Sequence, residues 1–324
     1  TAKEIEDVRD NGQRVLVIGA GAGTGKTFTL KQLEQVLQGN GQYTAFNSSL
    51  VAESKAKFKR AACNTTHSLA FRAVGCRFKH RLNSKRVQSW EIAKRLGIDD
   101  QHIKLPESIA PLEDGKPQVR RLKAAFLAGQ VTQAIRKFCQ SADSELGIKH
   151  FQKFDGIDEA GKYDNSDKVK DYLLPFAQRA WTDLSDPAGT VMSFSHDCYV
   201  KIWSMEQPVI AADYILLDEA QDTAPVMLSI LQQQTHALLI LVGDDNQQIY
   251  EWRGAINAMA TFPNAPRKLL SQSFRFGQAV ADVANSVLAG LEEPTDLVMQ
   301  GLETIPTRVC EVKEPRCYLY RTNA

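Results

Sequence analysis

Val15-Leu-Val-Ile-Gly-Ala-Gly-Ala-Gly-Thr-Gly-Lys-Thr27 is the stretch whose reading decides the fold. Val15 to Ile18 is an unbroken apolar, partly β-branched run, the pattern of a short strand buried on both faces. The glycine turn after it leads into a helical pattern, Leu30, Leu33, Val36 and Leu37, which Gly39-Asn-Gly stops. Further strands are predicted at Tyr43–Phe46, Ala211–Leu217 and Ala237–Val242. Strands alternating with helices predict an α/β fold with a parallel sheet and ligands at the carboxyl ends of its strands. Between about 72 and 190 the strand signals fade. Helical patterns at Ser89–Leu96, Val119–Leu127, Val131–Cys139 and Val169–Ala180 predict a mostly helical insertion, with a loop over Gly156–Ser166.

The 324 residues are 43% hydrophobic and 24% charged, which excludes wholesale disorder and a fibrous architecture. The length suits two domains, or one with a large insertion. The longest apolar runs, Val15–Ala20 and Ala237–Val242, fall far short of the roughly 20 residues a membrane span needs. No apolar leader follows Thr1. The chain is therefore read as neither secreted nor membrane-bound, cytoplasmic in a bacterium or nuclear in a eukaryote. Six cysteines (Cys63, Cys76, Cys139, Cys198, Cys310, Cys317) lack any C-x-x-C pair, and the six histidines are dispersed, which argues against a zinc or iron–sulfur site and for reduced thiols. The net charge of +1 hides an asymmetry: residues 54–95 hold twelve Lys/Arg against the single acid Glu91. Such a field suits a polyanion, or a solvated face neutralised by acids nearby in space.

Ala20-Gly-Ala22-Gly23-Thr24-Gly25-Lys26-Thr27, between strand and helix, has the context a phosphate-binding loop requires. The glycines let backbone N–H groups turn toward phosphate oxygens, and the helix N-terminus adds partial positive charge. Lys26 is expected on the β- and γ-phosphates and the Thr27 hydroxyl on Mg²⁺. A Rossmann dinucleotide loop would have no use for the lysine and threonine. Tyr214-Ile-Leu-Leu-Asp218-Glu219-Ala-Gln-Asp222 brings two carboxylates to a strand end. Asp218 is expected to hold Mg²⁺ largely through water, and Glu219 to polarise the attacking water. Asp222 is expected to cap the next helix. In Gly243-Asp-Asp-Asn-Gln247-Gln-Ile-Tyr250-Glu-Trp252-Arg-Gly-Ala255, Gln247 can sense a γ-phosphate, while Tyr250 and Trp252 offer flat faces to unpaired bases.

These residues resemble a superfamily 1 DNA helicase of the UvrD/Rep type, and within it the F-box DNA helicase branch. The resemblance rests on Ala20–Thr27, Ala45-Phe-Asn47, Thr65-Thr66-His67-Ser68, Asp218–Asp222, Gly243–Ala255 and Gln272-Ser-Phe-Arg275-Phe-Gly, which run almost end to end. His196-Asp-Cys-Tyr-Val-Lys201-Ile-Trp203 favours the F-box branch, with His196 and Trp203 read as packing. The resemblance implies an ATP- and Mg²⁺-dependent DNA helicase and single-strand translocase, 3′ to 5′, acting in DNA repair and recombination. Its partners would be single-stranded DNA and single/double-strand junctions; it names no protein partner. It also implies Gln247 as γ-phosphate sensor and Arg275 as the arginine neutralising transition-state charge. Asn47, Thr66, His67, Tyr250 and Trp252 would meet the strand. The implied fold is a RecA-like P-loop NTPase domain 1A (1–71 and 190–285) interrupted by a helical domain 1B (72–189). Residues 286–324 would be a linker and the start of a second RecA-like domain, 2A.

Two departures stand out. Where the family reads adenine with a glutamine, this chain has Ile5, and its nearest glutamine is Gln13. Tyr318–Ala324 resembles the opening strand of 2A, and motifs V and VI are absent. The expectation is of an N-terminal fragment with weak nucleotide and DNA binding, little hydrolysis and no unwinding alone. The alternative is a nucleotide-dependent DNA-binding or regulatory module. A GTPase is disfavoured because no Asn-Lys-x-Asp tetrapeptide occurs, and a small-molecule kinase because it has no use for Tyr250 and Trp252. If the basic stretch meets the strand's phosphates, single-strand affinity will fall steeply and log-linearly with salt, which a titration over salt concentration measures.

Overall fold

The computed structural model describes residues 13–45, 47–159, 164–292 and 295–311. Six parallel strands form the central sheet in the order β3-β2-β6-β7-β1-β8. They are β1 (Val15–Ala20), β2 (Gly41–Thr44), β3 (Ala61–Asn64), β6 (Tyr214–Leu217), β7 (Leu238–Gly243) and β8 (Arg267–Leu270). The helices packed on it are α1 (Lys26–Val36), α2 (Ser48–Lys55), α3 (Thr66–Ala73), α8 (His196–Met205) and α9 (Pro225–Gln232). Between α3 and α8 lie α4 (Lys79–Leu82), α5 (Ser89–Leu96), the hairpin β4 (Gln101–Lys104) and β5 (Val119–Leu122), α6 (Ala124–Gln140) and α7 (Asn165–Ser185); α10 is Gln278–Leu288.

Alternation along the strands sorts the core into two layers. Leu16, Ile18, Tyr214, Leu216, Leu238, Ile240 and Val242 face α1 and α2 with Leu30, Leu33 and Val51. Val17, Ile215, Leu217, Leu239 and Leu241 face the other side. There the apolar cluster continues without a break into the insertion, through Tyr199, Trp203, Phe138, Val131 and Leu173. The insertion thus shares its core with one face of the sheet.

Long-range polar ties hold the insertion in place. Arg81, 5% exposed, forms a 3.0 Å ion pair with Asp183 and donates to the carbonyls of Asp183, Asp186 and Met192. Asp183 in turn accepts the backbone N–H groups of Thr190, Val191 and Met192. The first helix of the insertion is thereby joined to the chain returning from it. Lys201, 1% exposed, donates to the carbonyls of Ser141 and Asp143 just past α6 and lies 4.3 Å from the centre of the Phe138 ring. Burial pushes its ammonium down to about 8.

Several sequence expectations need correction. Val119–Leu127 is not one helix: Val119–Leu122 pairs antiparallel with Gln101–Lys104, and the helix begins only at Ala124. That start is set by Asp100, which accepts the Ala124 N–H at 2.7 Å from 24 residues away. β3, β8 and the hairpin carried too few apolar residues to be seen, and the expected loop over 156–166 ends early because Asn165 already opens α7. The expected domain limits at 71 and 285 fall inside α3 and α10. Beyond α10 the chain returns to the sheet edge, where Ser273 N–H bonds Gln300 O and Gln300 N–H bonds Ser271 O. Ile5 and Tyr318–Ala324 lie outside the described residues. Among the described residues no helix is long and apolar enough to cross a membrane.

Asp183→Ala strands the buried Arg81 guanidinium and three backbone donors. It is expected to cost about 3–5 kcal/mol, read as a lower urea midpoint.

Candidate nucleotide cleft and strand-facing cavity

The glycine turn is shaped from two sides. Gly23 and Gly25 take φ of 74° and 81°, the left-handed region glycine enters without strain. A Cβ on Gly23 would lie 2.7 Å from Arg275 Cγ. Phe274 N–H donates to Gly23 O at 2.8 Å, and Gly21 N–H to Leu270 O at 3.1 Å, so the chain after β8 lies directly on the loop. Thr24, buried, closes the turn by donating its hydroxyl to Gly21 O at 2.9 Å.

Asp218 is 2% exposed at the end of β6. Its Oδ2 accepts from the Thr27 hydroxyl at 3.0 Å and the Tyr43 hydroxyl at 2.9 Å; its Oδ1 accepts the Glu219 N–H at 3.0 Å. Burial pushes its carboxyl upward, the Glu219 charge adds to that, and the donors oppose it. Glu219 has φ 53°, a left-handed backbone unusual for this residue. Its Oε2 lies 3.8 Å from Lys26 Nζ and accepts the Gln221 amide at 2.8 Å. Gln221 Oε1 accepts the Asp244 N–H, while Gln247 donates to Asp244 Oδ2 at 2.5 Å. Burial raises Asp244 as well.

Gly23, Thr24, Gly25, Lys26, Thr27, Glu219, Gln247 and Arg275 thus line one cleft, with Phe28 and Phe274 exposed at its wall. Asp218 stands behind it, tied to Thr27. Ala22 belongs to the turn but not to the lining. The sequence reading missed Tyr43, Gln221 and Asp244, which hydrogen-bond Asp218, Glu219 and Gln247 respectively. A tyrosine in a fully buried strand needs a partner for its hydroxyl, and that was the one local sign. Asp222 is corrected: it does not cap α9, whose N-cap is Ala224, but accepts the N–H groups of Ile249 and Tyr250.

The five residues assigned to the strand do not gather as a group. His67 and Tyr250 line one cavity with Gln140 and Asp197, and His67 Nε2 lies 3.3 Å from Asp197 Oδ1. Trp252 is 79% exposed. Asn47 is the N-cap of α2, its Oδ1 accepting the Ser49 N–H and hydroxyl. Thr66 is corrected: its side chain is buried against Thr44, Leu69 and Trp203, because the helical turn after Thr65 points it at the sheet. Trp203 is core, as expected; His196 is exposed and hydrogen-bonds Tyr199. The basic stretch is partly structural, since Arg81 is buried and Arg77 pairs with Glu206.

The UvrD/REP helicase N-terminal domain matches residues 35–264. The chain belongs to the UvrD/REP helicase family. Among similar proteins, F-box DNA helicase 1 of Gallus gallus is 31% identical over 284 residues, 85% of this chain and 26% of that protein. F-box DNA helicase protein 1 of Schizosaccharomyces pombe is 30% identical over 303 residues, 89% of this chain and 32% of that protein. ATP-dependent DNA helicase PcrA of Bacillus subtilis is 35% identical over 82 residues, 23% of this chain and 11% of that protein. This UvrD/REP chain therefore spans about a quarter to a third of the two F-box relatives.

Tyr43→Phe keeps the ring packed on Phe58 and removes one donor from Asp218. The loss at neutral pH is expected to be about 1–3 kcal/mol. The Asp218 pKa is raised in the folded state, so its contribution favours folding below the unfolded value and is lost as pH rises through the folded one. The variant's penalty should therefore grow from acid to neutral pH, as urea unfolding at the two conditions would measure.

Proposed function

We propose that the chain is the N-terminal, nucleotide-binding part of a DNA helicase, which hydrolyses ATP with Mg²⁺ and moves on single-stranded DNA. The observation that carries this is the single cleft uniting Lys26, Thr27, Glu219, Gln247 and Arg275 in front of the buried Asp218. Backbone N–H groups from Ala22 to Thr27 and the Lys26 ammonium would hold the phosphates. Gln221 keeps Glu219 turned into the cleft, where its carboxylate can take a proton from water in line with the γ-phosphate. Gln247, fixed by Asp244, would sense that phosphate, and Arg275 would neutralise charge as it develops.

The donor set fits Mg²⁺. Thr27 and Asp218 offer hard oxygens, and no group of three His, Cys, Asp or Glu gathers for an ion among the described residues. Mg²⁺ suits such a site because it takes few protein ligands and fills its shell with water and phosphate oxygens. When bound, it would neutralise charge on the β- and γ-phosphates. On the other side, His67, Tyr250 and Trp252, with Asn47, would meet single-stranded DNA or a single/double-strand junction, the rings stacking on bases. Movement 3′ to 5′ and a role in repair or recombination accord with the family resemblance.

The test is nucleotide binding and hydrolysis by the chain, with and without single-stranded DNA. Lys26→Ala should abolish binding of a fluorescent ATP analogue. Glu219→Gln should bind it normally and lose turnover by about 100-fold or more. Undiminished binding by Lys26→Ala would sink the proposal.

A further inference from the structure

Two neighbouring side chains on the turn Ala220–Asp222 reach toward the two sites. Gln221, 2% exposed, holds the nucleotide side: it donates to Glu219 Oε2 and accepts the Asp244 N–H. Asp222, 5% exposed, holds the other side. Its Oδ1 accepts the backbone N–H groups of Ile249 and Tyr250 at 3.1 and 3.0 Å. The turn itself is stiff. The Thr223 hydroxyl donates to Ala220 O, and Thr223 and Ile256 exchange both backbone hydrogen bonds, at 3.2 and 2.8 Å. It begins directly after Glu219, whose backbone is left-handed at φ 53°.

We infer that Asp222 is a positioning residue that carries the state of the nucleotide cleft to Tyr250 and so to the bound strand. The inference rests on the functional reading above. Hydrogen bonds to a carboxylate are about twice as strong as neutral ones. The Ile249–Tyr250 backbone therefore moves with the turn and does not slide over it. When Glu219 and Gln247 adjust to a γ-phosphate, Gln221 shifts with Glu219. Asp222, the next residue, then draws the backbone of Tyr250. His67, which shares the Tyr250 cavity, sits on α3, so a displacement of Tyr250 changes the width of the cavity between them. Because coupling is reciprocal, strand binding would shift nucleotide affinity by the same factor.

The experiment compares the affinity of a fluorescent oligodeoxythymidine for the chain with and without a non-hydrolysable ATP analogue and Mg²⁺, and measures the analogue's own affinity. In the parent the two strand affinities should differ by about five-fold or more, the usual lower range of coupling. Asp222→Ala should bind the analogue as the parent does but bring that ratio to about one, whereas Asp222→Asn, which keeps an acceptor oxygen, should retain it. The inference is overturned if Asp222→Ala keeps the parent's ratio, or if Asp222→Asn loses it as completely as Ala. Should the alanine variant fail to fold, Asp222→Glu carries the test: its longer arm displaces the acceptor, and an unchanged ratio overturns the inference. A parent that binds analogue and strand independently overturns the coupling alone. One that binds neither overturns the functional reading beneath it.

Discussion

Asp218 is a carboxylate removed from water at the end of a buried strand, and the donors to it come from different parts of the fold. Thr27 belongs to the helix after the glycine turn, Tyr43 to the neighbouring strand, and the Glu219 N–H to the chain leaving the sheet. A buried carboxylate without such donors would cost several kcal/mol, so the three must arrive together. Their arrival fixes where α1 begins relative to β6 and turns Glu219 toward Lys26. The cleft is a consequence of satisfying that one group.

A second constraint acts on the opposite face of the sheet. The insertion leaves and returns within a short distance, and Arg81 with Asp183 closes the gap by an ion pair and six further hydrogen bonds to backbone groups. Its helices then pack on α8 and α9 and extend the apolar layer under the strands. Gln140, at the last turn of α6, reaches the cavity of His67 and Tyr250 for this reason. The turn Ala220–Asp222 is hydrogen-bonded to the cleft residue Glu219 through Gln221 and to the Ile249–Tyr250 backbone through Asp222.

Much of the nucleotide site was legible because its chemistry is local. A glycine turn before Lys26-Thr27 and two acids at a strand end must occur as contiguous residues, since backbone donors and the helix N-terminus come from one short stretch. The residues assigned to the DNA strand were less so. Thr66 and His67 are adjacent, yet a helix turns neighbours about 100° apart, and only the packing of α3 on the sheet decides which of them faces out. Asp222 looked like a helix cap from its position before an apolar run, but Tyr250 lies 28 residues further along and the bond between them is a fact of the loop's path.

By itself the sequence determined the alternating strands and helices, the phosphate loop, the paired acids and the family resemblance, because each depends on residues within reach of one another along the chain. The tertiary structure decided the rest. It decided that Val119–Leu122 is a strand, since its partner Gln101–Lys104 lies across a loop, and that Gln300 returns to Ser271 and Ser273 just past β8. It also decided that Tyr43 and Gln221 hydrogen-bond the paired acids, that Asp244 holds the Gln247 amide, and that Asp222 holds the Ile249–Tyr250 backbone. Each of these acts through a hydrogen bond whose partner is set by distance in space, and burial demands that the partner exist without naming it in the chain.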